Sequence, residues 1–139
     1  MATIALATTH KSRSEKGNEP SRYQIAAGLA ANTSAATTYY TVPGDGILKK
    51  GVVTGSVTSD GTKTYTYVVT NVTANKTMTA ASQVWDDAPV LTAGTPANLT
   101  FSTTAADVAV TKGDVISIAF TGGTGSGTTS VILDFEITA

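Results

Sequence analysis

From Tyr23 to Ile137 the apolar positions of this chain recur at every second residue far more often than at helical spacing. The last segment, Ser130 to Ile137, shows it best. Val131, Leu133, Phe135 and Ile137 fall on one face and Asp134 and Glu136 on the other, as a half-buried strand requires. Val115 to Phe120 repeats the pattern, with Ile116, Ile118 and Phe120 opposed to Ser117 and Ala119. In Thr64 to Val72, Tyr65, Tyr67 and Val69 share a face and Thr64, Thr66 and Thr70 occupy the other. Further strands are predicted at Thr38–Val42, Ile47–Val57, Lys76–Ser82, Leu99–Ser102 and Val108–Val110. Tyr23 to Ala31 alternates through Tyr23, Ile25, Ala27 and Leu29; its alanines also tolerate a helical turn, and the alternation favours strand. No segment demands a helix of more than two turns, and no internal repeat is evident.

Turn chemistry separates these segments every 8 to 12 residues or so, the spacing of an all-β sandwich or barrel. Asp60-Gly61, within Ser59-Asp60-Gly61-Thr62, predicts a tight hairpin between the Ile47 and Thr64 strands. Pro43-Gly44-Asp45-Gly46 and Lys112-Gly113-Asp114 are punctuation of the same kind. The run Gly122-Gly123-Thr124-Gly125-Ser126-Gly127 predicts a flexible loop, which would join the last two strands as a hairpin with a long tip.

Charge divides the chain. Residues 1–22 hold Lys11, Arg13, Lys16 and Arg22 against Glu15 and Glu19, whereas the rest holds five lysines against eight acids. His10 to Pro20 contains no apolar residue and cannot join a core. The expected organisation is an extended N-terminal arm over residues 1–22 and a β-sandwich domain over residues 23–139. The arm is either a frayed terminus or a segment that orders on a partner. In the second case the apolar tip, Ile4 and Leu6, and the cations Lys11, Arg13 and Arg22 are the binding residues.

With 139 residues, 41% of them hydrophobic, the chain can build one core without a staple, and the absence of cysteine excludes a disulfide-held mini-domain. The net charge of −1 gives no field that would steer nucleic acid or an acidic membrane. Ile4 to Ala7 is too short for a signal-peptide core and lacks a preceding basic region, and no apolar run reaches the roughly eighteen residues of a bilayer span. The expectation is a soluble protein without a cleavable signal.

Little in the sequence points to catalysis. The one histidine, His10, lies in the polar arm, so Ser-His-Asp, Cys-His and zinc sites cannot form within the domain. No cofactor or metal is expected. Asp86-Asp87, beside the single tryptophan Trp85, could share a metal only from a loop; the alternative is a solvated turn. Trp85 could be a sugar-stacking platform, or it could pack at a sheet edge or subunit interface, which its polar neighbours favour. The 122–127 loop lacks a Gly-Lys-Ser/Thr ending and is no phosphate cradle. Asn-x-Ser/Thr triplets begin at Asn32, Asn71, Asn75 and Asn98; in so threonine-rich a chain they read as coincidence.

Two stretches carry a resemblance. Tyr39-Tyr40-Thr41-Val42-Pro43-Gly44-Asp45-Gly46-Ile47 resembles the opening of small trimeric β-sandwich modules, where a strand ends at Val-Pro and turns through Gly-Asp-Gly. Val110-Thr111-Lys112-Gly113-Asp114-Val115-Ile116-Ser117-Ile118 resembles their penultimate segment, and a glycine-rich loop with a terminal strand completes the pattern. Such modules include heads related to the tumour-necrosis-factor and complement jelly rolls and many phage virion proteins. With the polar arm, the missing signal and the Ala/Thr/Gly-rich strands, the chain is similar to capsid decoration (cement) proteins of tailed bacteriophages. The resemblance implies a jelly-roll-like antiparallel β-sandwich, a homotrimer made in the host cytoplasm, that binds the major capsid protein on the virion surface. The alternatives are a receptor- or glycan-binding module of a tail fibre or head spike and a bacterial surface adhesion domain.

Overall fold

The computed structural model describes residues 21–30, 35–81, 83–123 and 126–138. Among the described residues ten strands follow in chain order: β1 (Arg22–Ala30), β2 (Ala35–Thr41), β3 (Gly46–Gly55), β4 (Tyr65–Asn71), β5 (Lys76–Thr77), β6 (Gln83–Trp85), β7 (Ala97–Asn98), β8 (Ala109–Val110), β9 (Val115–Gly122) and β10 (Thr128–Ile137). A single helical turn, α1 (Ala105–Val108), precedes β8. The first sheet runs β1-β10-β3-β7, with β8 also on β3; the second runs β2-β9-β4-β5, with β6 also on β4. Every pairing is antiparallel.

This order is that of one long hairpin rolled onto itself. The first strand pairs with the last, β2 with the strand before it, β3 with the short β7 and β8, and β4 with β5 and β6. Rolling then brings β10 onto β3 and β9 onto β4. The result is a jelly roll, in which two stacked sheets hide one core.

The inward positions are those the alternation marks. Tyr23, Ile25, Ala27 and Leu29 of β1 and Val131, Leu133 and Phe135 of β10 are buried against Tyr65, Tyr67, Val69, Ile116, Ile118 and Phe120 of the second sheet. Phe120 stacks between Tyr65 and Tyr67 at centroid distances of 5.6 and 5.4 Å, and Tyr23 stacks on Phe135 at 4.8 Å. Burying each such ring contributes roughly 1.5–3 kcal/mol.

Two hairpins expected from the turn chemistry do not form. β9 and β10 lie in opposite sheets, each already flanked on both sides, β9 by β2 and β4 and β10 by β1 and β3. The segment between them crosses the roughly 10 Å between sheets. Its ends are tied down, since Gly123 N and Ser126 Oγ both donate to Thr64 O; residues 124–125 lie outside the described residues. β3 and β4 likewise belong to different sheets, so Asp60-Gly61 closes a local turn in a crossover rather than a hairpin. There Asp60 Oδ1 accepts from Thr62 N, Thr62 Oγ1 and Lys63 N at 2.8–2.9 Å.

The shorter segments also differ from expectation. Among the described residues, Lys76–Ser82 keeps strand pairing only at β5 and at a bridge from Thr79 to Phe101, Leu99–Ser102 keeps that bridge with β7 directly before it, and Val108 ends α1. Loop backbone competes successfully there because these edge segments have only one neighbour. A bulge interrupts β3, where Phe135 faces Leu48 and Asp134 faces Lys50. Lys49 is the extra residue, and both lysines are exposed in succession.

Candidate interaction face

β1, β3 and β10 carry Arg22, Lys49, Lys50, Asp134 and Glu136, whereas β2, β4 and β9 contain no charged residue. The two outer faces of the sandwich therefore differ chemically. On the first sheet, Arg22 Nη1 donates to Asp134 Oδ2 at 2.8 Å, a half-exposed pair worth little by itself. The register places Arg22 opposite Glu136 and Asp134 between Gln24 and Lys50.

The outer face of the second sheet is neutral. Its rows are Tyr39–Ser117–Thr70–Thr77, then Thr37–Ala119–Val68, then Thr121–Thr66–Val84. Tyr39, on the edge strand β2, is 63% exposed, the most exposed large hydrophobic side chain among the described residues. At the opposite margin, beside β5, a cleft of about 330 Å³ is lined by Val68, Thr77, Thr79, Ala80, Ser102 and Asp107. Thr79 is buried and its Oγ1 has no hydrogen-bond partner among the described residues. Ser102 Oγ donates to Asp107 Oδ2 at 2.7 Å, leaving the other carboxylate oxygen open.

The two stretches singled out by resemblance meet at one end of the sandwich. Val42 N donates to Asp114 O (2.8 Å), Gly113 N to Val42 O (2.9 Å) and Lys112 N to Asp45 Oδ1 (2.8 Å). Asp114 Oδ2 accepts from Thr111 N and from Asn71 Nδ2, both at 2.9 Å. Ile137 N donates to Ser21 O and Thr138 N to Asp45 O, so both ends of the described chain join the cluster. These carboxylates organise backbone. Burial, with the nearby charges of Asp45 and Asp114, pushes the Tyr23 phenol well above its ordinary range, and its hydroxyl donates to Gly44 O at 3.1 Å.

Ile4, Leu6, Lys11 and Arg13 lie outside the described residues. Arg22 opens β1 and holds Asp134, so the strand begins one residue inside the segment read as arm. Trp85 is a core residue on β6, edge-on to Tyr67 at 5.6 Å. It offers no stacking surface to a sugar, because pairing of β6 on β4 turns it inward beneath the sheet. Asp86 and Asp87 follow it in a turn, where Asp86 Oδ1 accepts from Ala88 N and Asp86 N donates to Pro89 O. Among the described residues no three His, Cys, Asp or Glu side chains converge as a metal site would require. A second depression, of about 460 Å³, lies at the far end of the first sheet and is lined by Gly28, Thr54, Ser56, Thr128 and Ser130 among others, without an ionisable group.

Sequence reading passed over Tyr39 and the Thr79 cleft. The available signal was the absence of charge from three long strands of a chain that charges its other three. The chain matches no known protein-family model and no curated protein sequence.

Proposed function

We propose that this protein is a structural virion protein, a decoration protein that binds the outer surface of a tailed-phage capsid as a homotrimer and stabilises the shell. The observation that carries this reading is the two-faced jelly roll, with one outer face neutral and the other charged. A neutral, threonine-rich sheet face suits packing against copies of the same chain, where like charges would repel. The charged face and the N-terminal arm remain for a second protein surface. The inward position of Trp85 removes the platform that a glycan-binding module would have used.

The mechanism is mass action: a ligand that binds the assembled shell but not its dispersed subunits stabilises the shell. Several contacts per trimer add avidity. The arm supplies the main contact with the major capsid protein, with Lys11 and Arg13 meeting acidic shell residues and Ile4 and Leu6 docking in a groove, while Arg22 stays in β1 against Asp134. Exposed ion pairs contribute less than about 1 kcal/mol each, so the arm as a whole matters more than any one charge.

The test offers the protein to capsids stripped of it. Full-length chain should bind at a copy number matching the capsid symmetry axes, and a truncation ending just before Ser21 should fold but bind more weakly and with less salt dependence. The cut belongs there because Ser21 O accepts from Ile137 N and Arg22 holds Asp134. Absence of full-length chain from the capsids refutes the function; equal binding by the truncation refutes the role of the arm.

A further inference from the structure

The neutral face has a projection at one margin and a recess at the other. Tyr39 stands on the edge strand β2, and the cleft of about 330 Å³ lies beyond Val68 on β4, two strands away and so on the order of 10 Å distant. Within one copy Tyr39 does not line the cleft. The recess has an apolar floor in Val68 and Ala80 and a polar wall in Thr79, Ser102 and Asp107. Such a recess matches a tyrosine, which presents an apolar ring and a polar tip. Thr79 Oγ1, buried and without a partner among the described residues, and the second carboxylate oxygen of Asp107 are the groups a phenol hydroxyl would satisfy.

We propose that Tyr39 of one copy inserts into the Thr79–Asp107 cleft of the next, the β2 margin of one sheet meeting the β5 margin of its neighbour. The inference rests on the self-association proposed above and assigns its surface. Because the β2 margin meets the β5 margin and not its own kind, the contact is heterologous, and a rotation that closes makes it a ring. β2, β4 and β9 carry no charge, and the one carboxylate in the cleft, Asp107, is an acceptor for the phenol. The edges agree. β2 is seven residues long, carries neither charge nor proline and among the described residues pairs with β9 alone, an edge that a neighbouring copy covers. The other margin of the same sheet is already broken into β5 and β6, of two and three residues.

The experiment is sedimentation equilibrium of the full chain and three variants, with circular dichroism to verify folding. Tyr39→Ala removes the knob, Ala80→Trp fills the recess, and Gln24→Ala alters an exposed position on the first sheet. The expected result is a closed oligomer for the parent and for Gln24→Ala. Association should be at least about thirtyfold weaker for Tyr39→Ala and for Ala80→Trp, the range of an interface hot spot. Both exposed-site variants should keep the parent spectrum and melting behaviour. If the parent is an oligomer and either variant associates as tightly as it does, the knob-and-recess contact is wrong while the assembly stands. A monomeric parent at micromolar concentration overturns both.

Discussion

The jelly roll is riveted across its core by two hydroxyl groups, and their removal provides a sharp test of how its polar atoms are satisfied. Tyr67 of the second sheet and Thr129 of the first are both buried, with Tyr67 Oη 2.7 Å from Thr129 Oγ1 and Thr129 Oγ1 2.7 Å from Thr54 O. A carbonyl can only accept, and Thr129 has a single hydroxyl hydrogen. Thr129 therefore donates to Thr54, and Tyr67 donates to Thr129. The two truncations then differ. Tyr67→Phe leaves the Thr129 hydroxyl still bonded to Thr54 and should cost about 1 kcal/mol. Thr129→Val keeps the shape but strands a buried phenol and a carbonyl together, and should cost about 2–3 kcal/mol. In the double variant the phenol is gone as well, so the total should fall to about 1–2 kcal/mol, below Thr129→Val alone. The singles should therefore fail to add by more than about 1 kcal/mol, beyond the ~0.3–0.5 kcal/mol scatter of independent sites. Urea unfolding followed by circular dichroism, with slopes held common if they agree, measures all four proteins. An additive double variant, or a Tyr67→Phe as costly as Thr129→Val, refutes the donor order and the rivet with it.

Burial raises the phenol pKa values of Tyr23, Tyr40 and Tyr67 above their ordinary value, aided for Tyr23 by Asp45 and Asp114. Each contributes stability that is complete below about pH 10 and declines as pH rises towards the folded value, by at most about 1.4 kcal/mol per pH unit for the most deeply buried, Tyr67. The urea midpoint should fall above pH 10, and less steeply in Tyr67→Phe; parallel slopes would remove the buried-phenol explanation. Asn71 is fully buried, donating to Asp114 Oδ2 at 2.9 Å and accepting from Ala74 N at 3.1 Å. Asn71→Ala should cost about 1–3 kcal/mol in thermal or urea unfolding, because Asp114 and the Ala74 amide lose their partner; a change under about 0.5 kcal/mol would mean that the tether is dispensable.

Much of the core was legible because strand period is a local property. The alternation in Ser130–Ile137, Val115–Phe120 and Thr64–Val72 names residues that the fold buries, among them Val131, Leu133, Phe135, Ile116, Ile118, Phe120, Tyr65, Tyr67 and Val69. The favoured reading of Tyr23–Ala31 as strand was sound for the same reason, since β1 turns Tyr23, Ile25, Ala27 and Leu29 inward. For Trp85 the favoured packing at a sheet edge agrees with its place on β6, but its burial was not legible, because Gln83, Asp86 and Asp87 do not describe what lies beneath a three-residue strand.

By itself the sequence determined which long segments are strands, which face of each is apolar, and that three of them are free of charge. Each of these depends on residues one or two positions apart. Tertiary structure alone decided the partners. Alternation says that a strand has a buried face, not which strand lies beside it, so Asp60-Gly61 and the 122–127 glycines read as hairpins although crossovers fit them too. Rolling the chain into two sheets made them crossovers, because β9 and β10 each gain two long neighbours that a mutual hairpin would displace. The same rolling placed Pro43–Gly46 against Lys112–Asp114, far apart in sequence, and gathered the uncharged strands into one sheet. It also set Tyr39 and the Thr79 cleft on opposite margins of one face, a juxtaposition created by sheet order and absent from any local pattern.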